Sequence, residues 1–396
     1  MQSLLSGIRI VDLSRVLAGP YGTLLMGDLG AEIIKVEEPN EGDPTRHISP
    51  QKVAGEDPYF LGLNRNKKSI TLKLTAPQGR EIFHRLVKVS DVVFDNFRPD
   101  VLERIGADYE TLKGVNPKII SCSVSGFGHT GSLQNRPAFD LTLQAMGGAM
   151  SVTGEPGRAP VRLGLPMGDL AGGMFAAYAI SAALFHRERT GEGTKIDLSL
   201  LDCQVSLLSY MAQYYFFNGK VPGPVGSGHQ SIVPYQAFQT RDLWIVVAVF
   251  VEKFWPRFCK VLGLESIASD PRFDRNLKRL QNKELLVPIL ADAILKWKGE
   301  DLLRKLDEED VPAAPVNTLD RILSEPQILS RGMTVEIDHP KVGKFKSVGN
   351  PVKVSQYPEE KFQPPPLLGG NNEEVYLRLL GFSPADLQTW RKEGII

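Results

Sequence analysis

The sequence predicts an α/β protein with a mainly parallel sheet covered by helices on both faces, followed by a smaller α+β domain. Three observations predict it. Short apolar runs alternate with helical patterns through the first half of the chain, as in strands joined by crossover helices. A glycine- and proline-rich break, NGKVPGPVGSGH (218–229), ends that alternation. The 396 residues suffice for two domains, and 42% hydrophobic with 23% charged residues is ordinary for a globular chain.

In chain order, GIRIVDLS (7–14) reads as a buried strand, GPYGTLLMGDLG (19–30) as a helix opened by Pro20, and AEIIKVEEP (31–39) as the next strand. KSITLKL (68–74) is a further strand. TAPQGREIFHRLVKVS (75–90) gives a helix with its apolar face at Ile82, Phe83, Leu86 and Val87. VSDVVFDNF (89–97) and PKIISCSVSGFG (117–128) are strands again. A helix of small residues, expected to be buried and tightly packed, covers roughly 172–189 and closes at Gly191 and Gly193. Beyond the break, IVPYQAFQTRDLWIVVAVF gives two strands turning at Arg241 and Asp242, and helices fill 251–308. The 335–357 stretch is strand-like and PPPLLGGN is rigid and extended. EEVYLRLLG forms the last helix, with an exposed tail after it. In such a sheet, ligands bind beyond the carboxyl ends of the strands.

Lys plus Arg and Asp plus Glu both number 46, so the net charge is zero. That excludes bulk attraction to nucleic acid or to membrane, and any anionic ligand must meet a local cluster of cations. Cys122, Cys203 and Cys259 are scattered and fit free thiols in a reducing compartment. The six histidines form no pair at helical ligand spacing, so no metal site is expected. No uninterrupted run reaches the roughly 18 apolar residues of a membrane span, and no leader pattern follows Met1. The expectation is a cytoplasmic protein with no nucleic-acid or membrane partner.

The chemistry centres on PVRLGLPMGDLAGGMFAAYAISAALFHRERTGEG (160–193). Asp169 stands just before the expected helix. It fits a capping residue, and it equally fits a carboxylate nucleophile. For the second role, Gly168, Gly172 and Gly173 leave room for a substrate, and helix N–H groups can receive charge developing on a carbonyl oxygen. GFGHTG (126–131) matches a dinucleotide fingerprint, but no apolar helix follows, so a glycine turn fits better. Arg98 and Arg104 in VVFDNFRPDVLERIG (92–106) suit phosphate recognition, or a solvated surface. NRNKKSITLKL (64–74) clusters Arg65, Lys67, Lys68 and Lys73, and NRPAFD (135–140) adds Arg136, Phe139 and Asp140. In GSGHQSIVPYQAF (226–238), Gly226 and Gly228 permit a mobile flap, and His229 also reads as an ordinary loop histidine.

Together these stretches resemble the family III CoA-transferases, which include the formyl-CoA:oxalate and carnitine enzymes. The likeness rests on the Gly-Asp step, on HRERTGEG (186–193), on NFRP (96–99), on SGIRIVDLSRVLAGP near the start and on PPPLLGGNNEE near the end. It implies a Rossmann-like large domain from 1–200 and 330–396, a linker at 201–224 and a small domain at 225–329. It also implies two chains interlocked as rings in a homodimer. Its chemistry is CoA transfer between carboxylic acids through anhydrides and a thioester on Asp169, with CoA thioesters as substrates and no permanently bound cofactor. The resemblance lines the CoA site with Arg15, Leu17, Leu72, Lys73, Leu74, Thr75, Asn96, Phe97, Arg98, Arg104, Arg136, Phe139 and Asp140. GSGHQSIVPYQAF resembles the succinyl-CoA:glutarate branch, and Arg15, Leu17 and Glu38 depart from the oxalate branch. The expected donor is succinyl-CoA and the expected acceptor a dicarboxylate. Gly226, Gly228, His229, Ser231 and Arg46 are the candidates for a flap and for holding the distal carboxylate.

Two alternatives stay open. A 2-methylacyl-CoA racemase of the same fold would need an acid/base histidine where this chain has Phe139. A nicotinamide-dependent oxidoreductase would rest on GFGHTG alone.

Overall fold

Six parallel strands form the main sheet: β1 (Arg9–Asp12), β2 (Glu32–Glu37), β3 (Lys67–Thr71), β4 (Val92–Asp95), β5 (Ile120–Ser125) and β6 (Thr194–Ser199). Their order is β3-β2-β1-β4-β5-β6, and every neighbouring pair is parallel. The computed structural model describes residues 3–356 and 362–396. Tyr357, the last residue of the strand-like stretch read from sequence, lies outside the described residues.

Strand side chains alternate between two cores. Val11, Ile34 and Val93 face one, with Ile82, Phe83 and Leu86 of the helix Pro77–Lys88. Ile10, Ile33 and Phe94 face the other, with Met26 of the helix Ala18–Asp28, Leu143 of Asp140–Met146 and Ile180 of Met167–Thr190. The expected strands and helices are present with ends trimmed by one to a few residues. The exposed C-terminal tail is not found. Residues 384–392 form a helix that buries Leu387 and Trp390 in the first core, and Ile395 and Ile396 are buried beside them.

The outer edge of β3 is closed by the 363–376 stretch. The side chains of Asn371 and Asn372 accept hydrogen bonds from the backbone N–H of Ser69 (3.0 Å) and Thr71 (2.9 Å). Asn371 N–H donates to the Ser69 carbonyl at 2.9 Å, and the Tyr376 hydroxyl donates to that of Thr71 at 2.7 Å. Side-chain amides here take the place of a seventh strand.

The helix Met167–Thr190 starts five residues earlier than the sequence suggests. It crosses the helix Ala18–Asp28 backbone to backbone. A Cβ at Gly173 would lie 2.7 Å from the Ala18 carbonyl oxygen, and one at Gly22 would lie 3.0 Å from that of Gly173. A Cβ at Gly172 would lie 2.3 Å from a Leu200 methyl. Gly172 and Gly173 therefore make room for neighbouring protein, where the sequence suggested room for substrate. The small residues, with Ile180 and Leu184, make the buried face, and Met174, Tyr178 and Phe185 point outward on one side of the helix. By length and composition this helix could cross a bilayer. Here its small-residue face packs on Ala18–Asp28, β5 and β6.

The chain divides into two compact units. The first holds Met1–Ala149, Arg162–Phe216 and Pro326–Ile396, and includes a hairpin of β10 (Thr334–His339) and β11 (Gly343–Val348). The second holds Met150–Val161 and Phe217–Glu325. In it β7 (Tyr235–Gln239), β8 (Trp244–Ala248) and β9 (Ala313–Pro315) form an antiparallel sheet. Phe238, Ile245, Trp255, Phe258, Leu290 and Leu302 make its core. Two stretches differ from the sequence expectation. Residues 150–161 go with the second unit, and most of the expected linker 201–224 is helical, in Leu200–Leu207 and Ser209–Asn218.

Replacing Gly173 with alanine should cost about 1–3 kcal/mol, because the added methyl meets backbone that cannot yield. Gly114, in the helix Tyr109–Val115, has open space around its Cβ position, and alanine there should stabilise by about 0.5–1 kcal/mol. Urea midpoints of the two variants should move in opposite directions.

Candidate active site

From β1 the chain winds to β2 and β3 on one side, then returns to β4 and proceeds to β5 and β6 on the other. The carboxyl ends of β1 and β4 therefore flank a topological switch point, where a parallel sheet opens a crevice. The segments leaving those two strands meet there. Asn96 clasps the backbone of Arg15, accepting from its N–H at 2.8 Å and donating to its carbonyl at 2.7 Å. The Arg15 guanidinium stands 5.2 Å from the centre of the Phe97 ring. Val16 has φ +68°, a left-handed conformation that a β-branched residue adopts only under constraint. The constraints are the Asn96 clasp on one side and Asp43, which accepts from Val16 N–H at 3.3 Å.

Beneath this loop lies a buried ionic network. Lys67 donates to Asp12 (3.2 Å), to the Thr23 hydroxyl (2.8 Å) and to the Pro20 carbonyl (2.9 Å), which ties β3 to the start of the helix Ala18–Asp28. Lys35 reaches the Ser14 carbonyl at 2.7 Å and pairs with Asp43 at 2.8 Å. Burial pushes the Lys67 ammonium down to about 8, against the pull of Asp12. Burial also opposes charge on Asp12, Glu37 and Asp43, yet their cationic partners hold all three below the usual carboxylate range. Arg46 belongs to this network. Its fork binds Glu37 through two 2.7 Å bonds, and it stacks 3.6 Å from the Phe60 ring centre. Buried and already bidentate, it does not present the open guanidinium that the sequence reading wanted for a substrate carboxylate.

Asp169 is the opposite case. It lies in the first turn of its helix, three residues after the N-cap Pro166, so it is not the cap. Among the described residues its carboxylate has no hydrogen-bond or ion-pair partner. Burial, and then the nearby Asp140 carboxylate, push it up to about 7. Asp140 takes the capping role instead, its Oδ1 accepting from the N–H groups of Gly168 (2.9 Å) and Asp169 (3.3 Å). Tyr59 is close enough to feel the charge. Burial, then Asp169, raise its phenol above the ordinary value. Sequence reasoning missed Tyr59, Gln144 and Gln204. Only Gln144 left a signal there, standing one helical turn after Asp140.

The other expected residues divide by place. Leu72, Lys73, Leu74 and Thr75 follow β3, with Leu72 buried and Lys73 and Thr75 exposed. Arg98 is exposed, 3.5 Å from Asp100, and donates to the Asn135 carbonyl at 3.4 Å. Arg104 is exposed, and among the described residues its guanidinium has no ionic or hydrogen-bond partner. Arg136 lies 5.9 Å from the Phe127 ring centre, Phe139 is 75% exposed, and Leu17 is buried at the start of its helix. In the second unit, Gly226 (φ +65°) donates to the Gly154 carbonyl at 2.9 Å, and Gly228 N–H donates to that of Val225 at 3.1 Å. His229 accepts from the Ser231 N–H at 3.1 Å. The glycines of GFGHTG make turns, with Gly128 at φ +79° and Gly131 at φ +85°. Among the described residues the next helix begins at Asp140, so no helix N-terminus receives a pyrophosphate at this motif. Among them, too, no group of three His, Cys, Asp or Glu side chains is placed to hold a metal ion.

The structure brings together a parallel sheet with its crevice at β1 and β4, exposed arginines on the segment after β4 and, among the described residues, a carboxylate without a cationic partner at a helix start. The chain belongs to CoA-transferase family III, whose profile matches residues 5–372, and it is an enzyme of the CoA-transferase class. It is 39% identical to the succinyl-CoA:glutarate CoA-transferase of Mus musculus, over 99% of this chain and 90% of that protein. The succinate–glutarate CoA-transferase of Agrobacterium fabrum is 38% identical, over 95% of each. The crystal structure of a CAIB/BAIF family protein from Brucella suis matches with a TM-score of 0.85 at 36% identity, over 96% of this chain and all of that one.

The folded chain holds the Asp169 proton more tightly than the unfolded chain, where the carboxyl keeps its ordinary value of 3.8. Ionising it costs stability, negligibly below about pH 4 and fully above about pH 7. Asp169→Asn should therefore raise the melting temperature relative to wild type more at pH 8 than at pH 5.

Proposed function

We propose that this enzyme moves CoA from succinyl-CoA to a dicarboxylate of about four to six carbons, with Asp169 as the covalent nucleophile. The observation that carries the reading is the unpaired Asp169 carboxylate at its helix start, in a chain of family III. The names of the two glutarate-transferring relatives support the substrate class.

The chemistry balances without a separate acid or base. An Asp169 oxygen attacks the thioester carbonyl, the C–S bond breaks, and CoA leaves as thiolate from a mixed anhydride. The thiolate attacks the aspartyl carbonyl and succinate departs, leaving an aspartyl-CoA thioester. The acceptor carboxylate attacks that thioester and expels CoA thiolate. The thiolate then attacks the new acyl carbonyl, which frees the product acyl-CoA and Asp169. Water has to be kept from both anhydrides.

Arg15, Phe97, Arg98, Arg104 and Arg136 are proposed along the CoA path, where pyrophosphate and ribose phosphate need cations. Leu17, Asn96, Phe139 and the 72–75 segment are proposed beside it. Recognition of the acceptor's distal carboxylate is proposed for His229 and Ser231 on the resemblance of their segment. The homodimer is proposed as well, and the outward Met174, Tyr178 and Phe185 on one helix face support it.

Incubation with succinyl-CoA and hydroxylamine should leave a hydroxamate on Asp169, detected by peptide mass spectrometry. Asp169→Ala should abolish transfer while keeping the fold. A panel of carboxylic acids should show succinate and glutarate preferred over formate, oxalate and carnitine, and a reversed order would overturn the substrate class. Arg104→Ala should remove a charged contact worth about 1.5–3 kcal/mol, raising KM for succinyl-CoA roughly tenfold or more with little change in kcat. An unchanged KM would return Arg104 to the plain surface.

A further inference from the structure

We infer that Asp140, locked in place by Gln144, is the positioning residue that fixes the start of the Met167–Thr190 helix and so aims the Asp169 carboxylate. The inference rests on Asp169 being the nucleophile.

Pro166 occupies the N-cap and offers no capping side chain, so the first N–H groups of this helix must find an acceptor elsewhere. They find it 28 residues upstream, where Asp140 Oδ1 accepts from Gly168 and from Asp169 itself. The other oxygen, Oδ2, accepts from Gln144 Nε2 at 2.6 Å, one turn along the helix Asp140–Met146. Gln144 is fully buried, and its Oε1 accepts from the backbone N–H of Leu163 at 2.9 Å. One glutamine thus holds both the capping carboxylate and the extended segment that leads into the nucleophile helix.

The packing around Gly168 leaves the clasp no slack. A Cβ there would lie 2.4 Å from Gln204 Nε2 and 2.9 Å from Asp140 Oδ1. Gln204 is buried, and among the described residues its Nε2 has no hydrogen-bond partner. The helix start is therefore pressed between a capping carboxylate and a buried amide, and only glycine fits between them.

The same geometry has a chemical effect. The ionisable group that acts on Asp169 is Asp140, and those that act on Tyr59 are Asp169, Asp43 and Asp140. While Asp169 is ionised, its charge opposes that of Asp140. On acylation Asp169 becomes a neutral anhydride and the charge departs on the CoA thiolate, so the repulsion is relieved in the direction of reaction. Asp140 touches no reacting atom in this scheme. It destabilises the ionised ground state and fixes its direction.

The test compares wild type with Asp140→Asn, which keeps an acceptor oxygen for the helix and loses the charge, and with Asp140→Ala, which loses both. Thermal unfolding establishes that each variant is folded, and the asparagine variant decides the question if the alanine variant is not. The readouts are the rate of hydroxylamine-trapped acyl-aspartate from succinyl-CoA as a function of pH, together with kcat and KM. In wild type the rate should rise with pH through about 7 as Asp169 ionises. In Asp140→Asn the inflection should move to lower pH, with kcat down roughly tenfold to a hundredfold and KM changed less than about twofold. A raised KM with unchanged kcat would make Asp140 a CoA contact, and an unmoved inflection with unchanged kcat would also overturn the inference. If wild type forms no hydroxamate on Asp169, the nucleophile assignment fails. If wild type forms it and the Asp140 variants match its rate and pH profile, only the positioning role fails.

Discussion

The crossing of the helices Ala18–Asp28 and Met167–Thr190 is the contact on which the candidate site depends. It is made at glycines, one turn or so inside each helix, so the two backbones approach with nothing between them. Gly173 is four residues beyond Asp169, and Gly22 follows closely on the strained loop at Val16. A methyl group inserted at the crossing would displace both helix starts together. Met174, Tyr178 and Phe185 are turned outward, and at the crossing the buried face is glycine and alanine, with Ile180 and Leu184 buried further along the helix.

Carboxylates in this sheet are treated in two contrasting ways. Asp12, Glu37 and Asp43 are deeply buried, yet each has a lysine or arginine against it and keeps its charge. They brace the loops at the carboxyl ends of β1 and β2, and removing one partner would strand a charge. Asp169 is less buried and, among the described residues, has no cation beside it, only another carboxylate nearby. A paired acid is structural because its charge is already satisfied. An unpaired one gains by giving its charge away, which is what forming an anhydride does.

Much of this was legible in the sequence. The alternation of apolar runs marks strands β1 to β5, which are buried on both faces, and the helix Pro77–Lys88, which is buried on one. The Gly-Asp step and the small-residue helix drew attention to Asp169. The helix starts at Met167, earlier than the apolar pattern marks, because Pro166 is well accommodated at the N-cap, where no intrahelical N–H is needed. The glycines misled for a different reason: the spacing Gly172-Gly173 records close packing and cannot say whether the neighbour is ligand or protein. Arg46 looked like a free cation because Glu37, nine residues earlier, becomes its partner only when β2 turns back. Asp140 and Gln144 stand one helical turn apart in the sequence, but the groups they hold lie at 163–169, and only the fold brings those near. The tail failed similarly, since the burial of Ile395 requires β3 beside it: Lys73 N–H donates to the Ile395 carbonyl at 2.8 Å.

The asparagine cap on β3 has a bearing on how the chain matures. Strands β1 to β6 are complete once residue 199 has been made, but the groups that satisfy the outer edge of β3 come from residues 363–376. During synthesis, the second unit, with its own core, emerges before that cap exists. For that interval the sheet carries a row of unsatisfied amides at β3, the kind of edge that recruits strands from other chains.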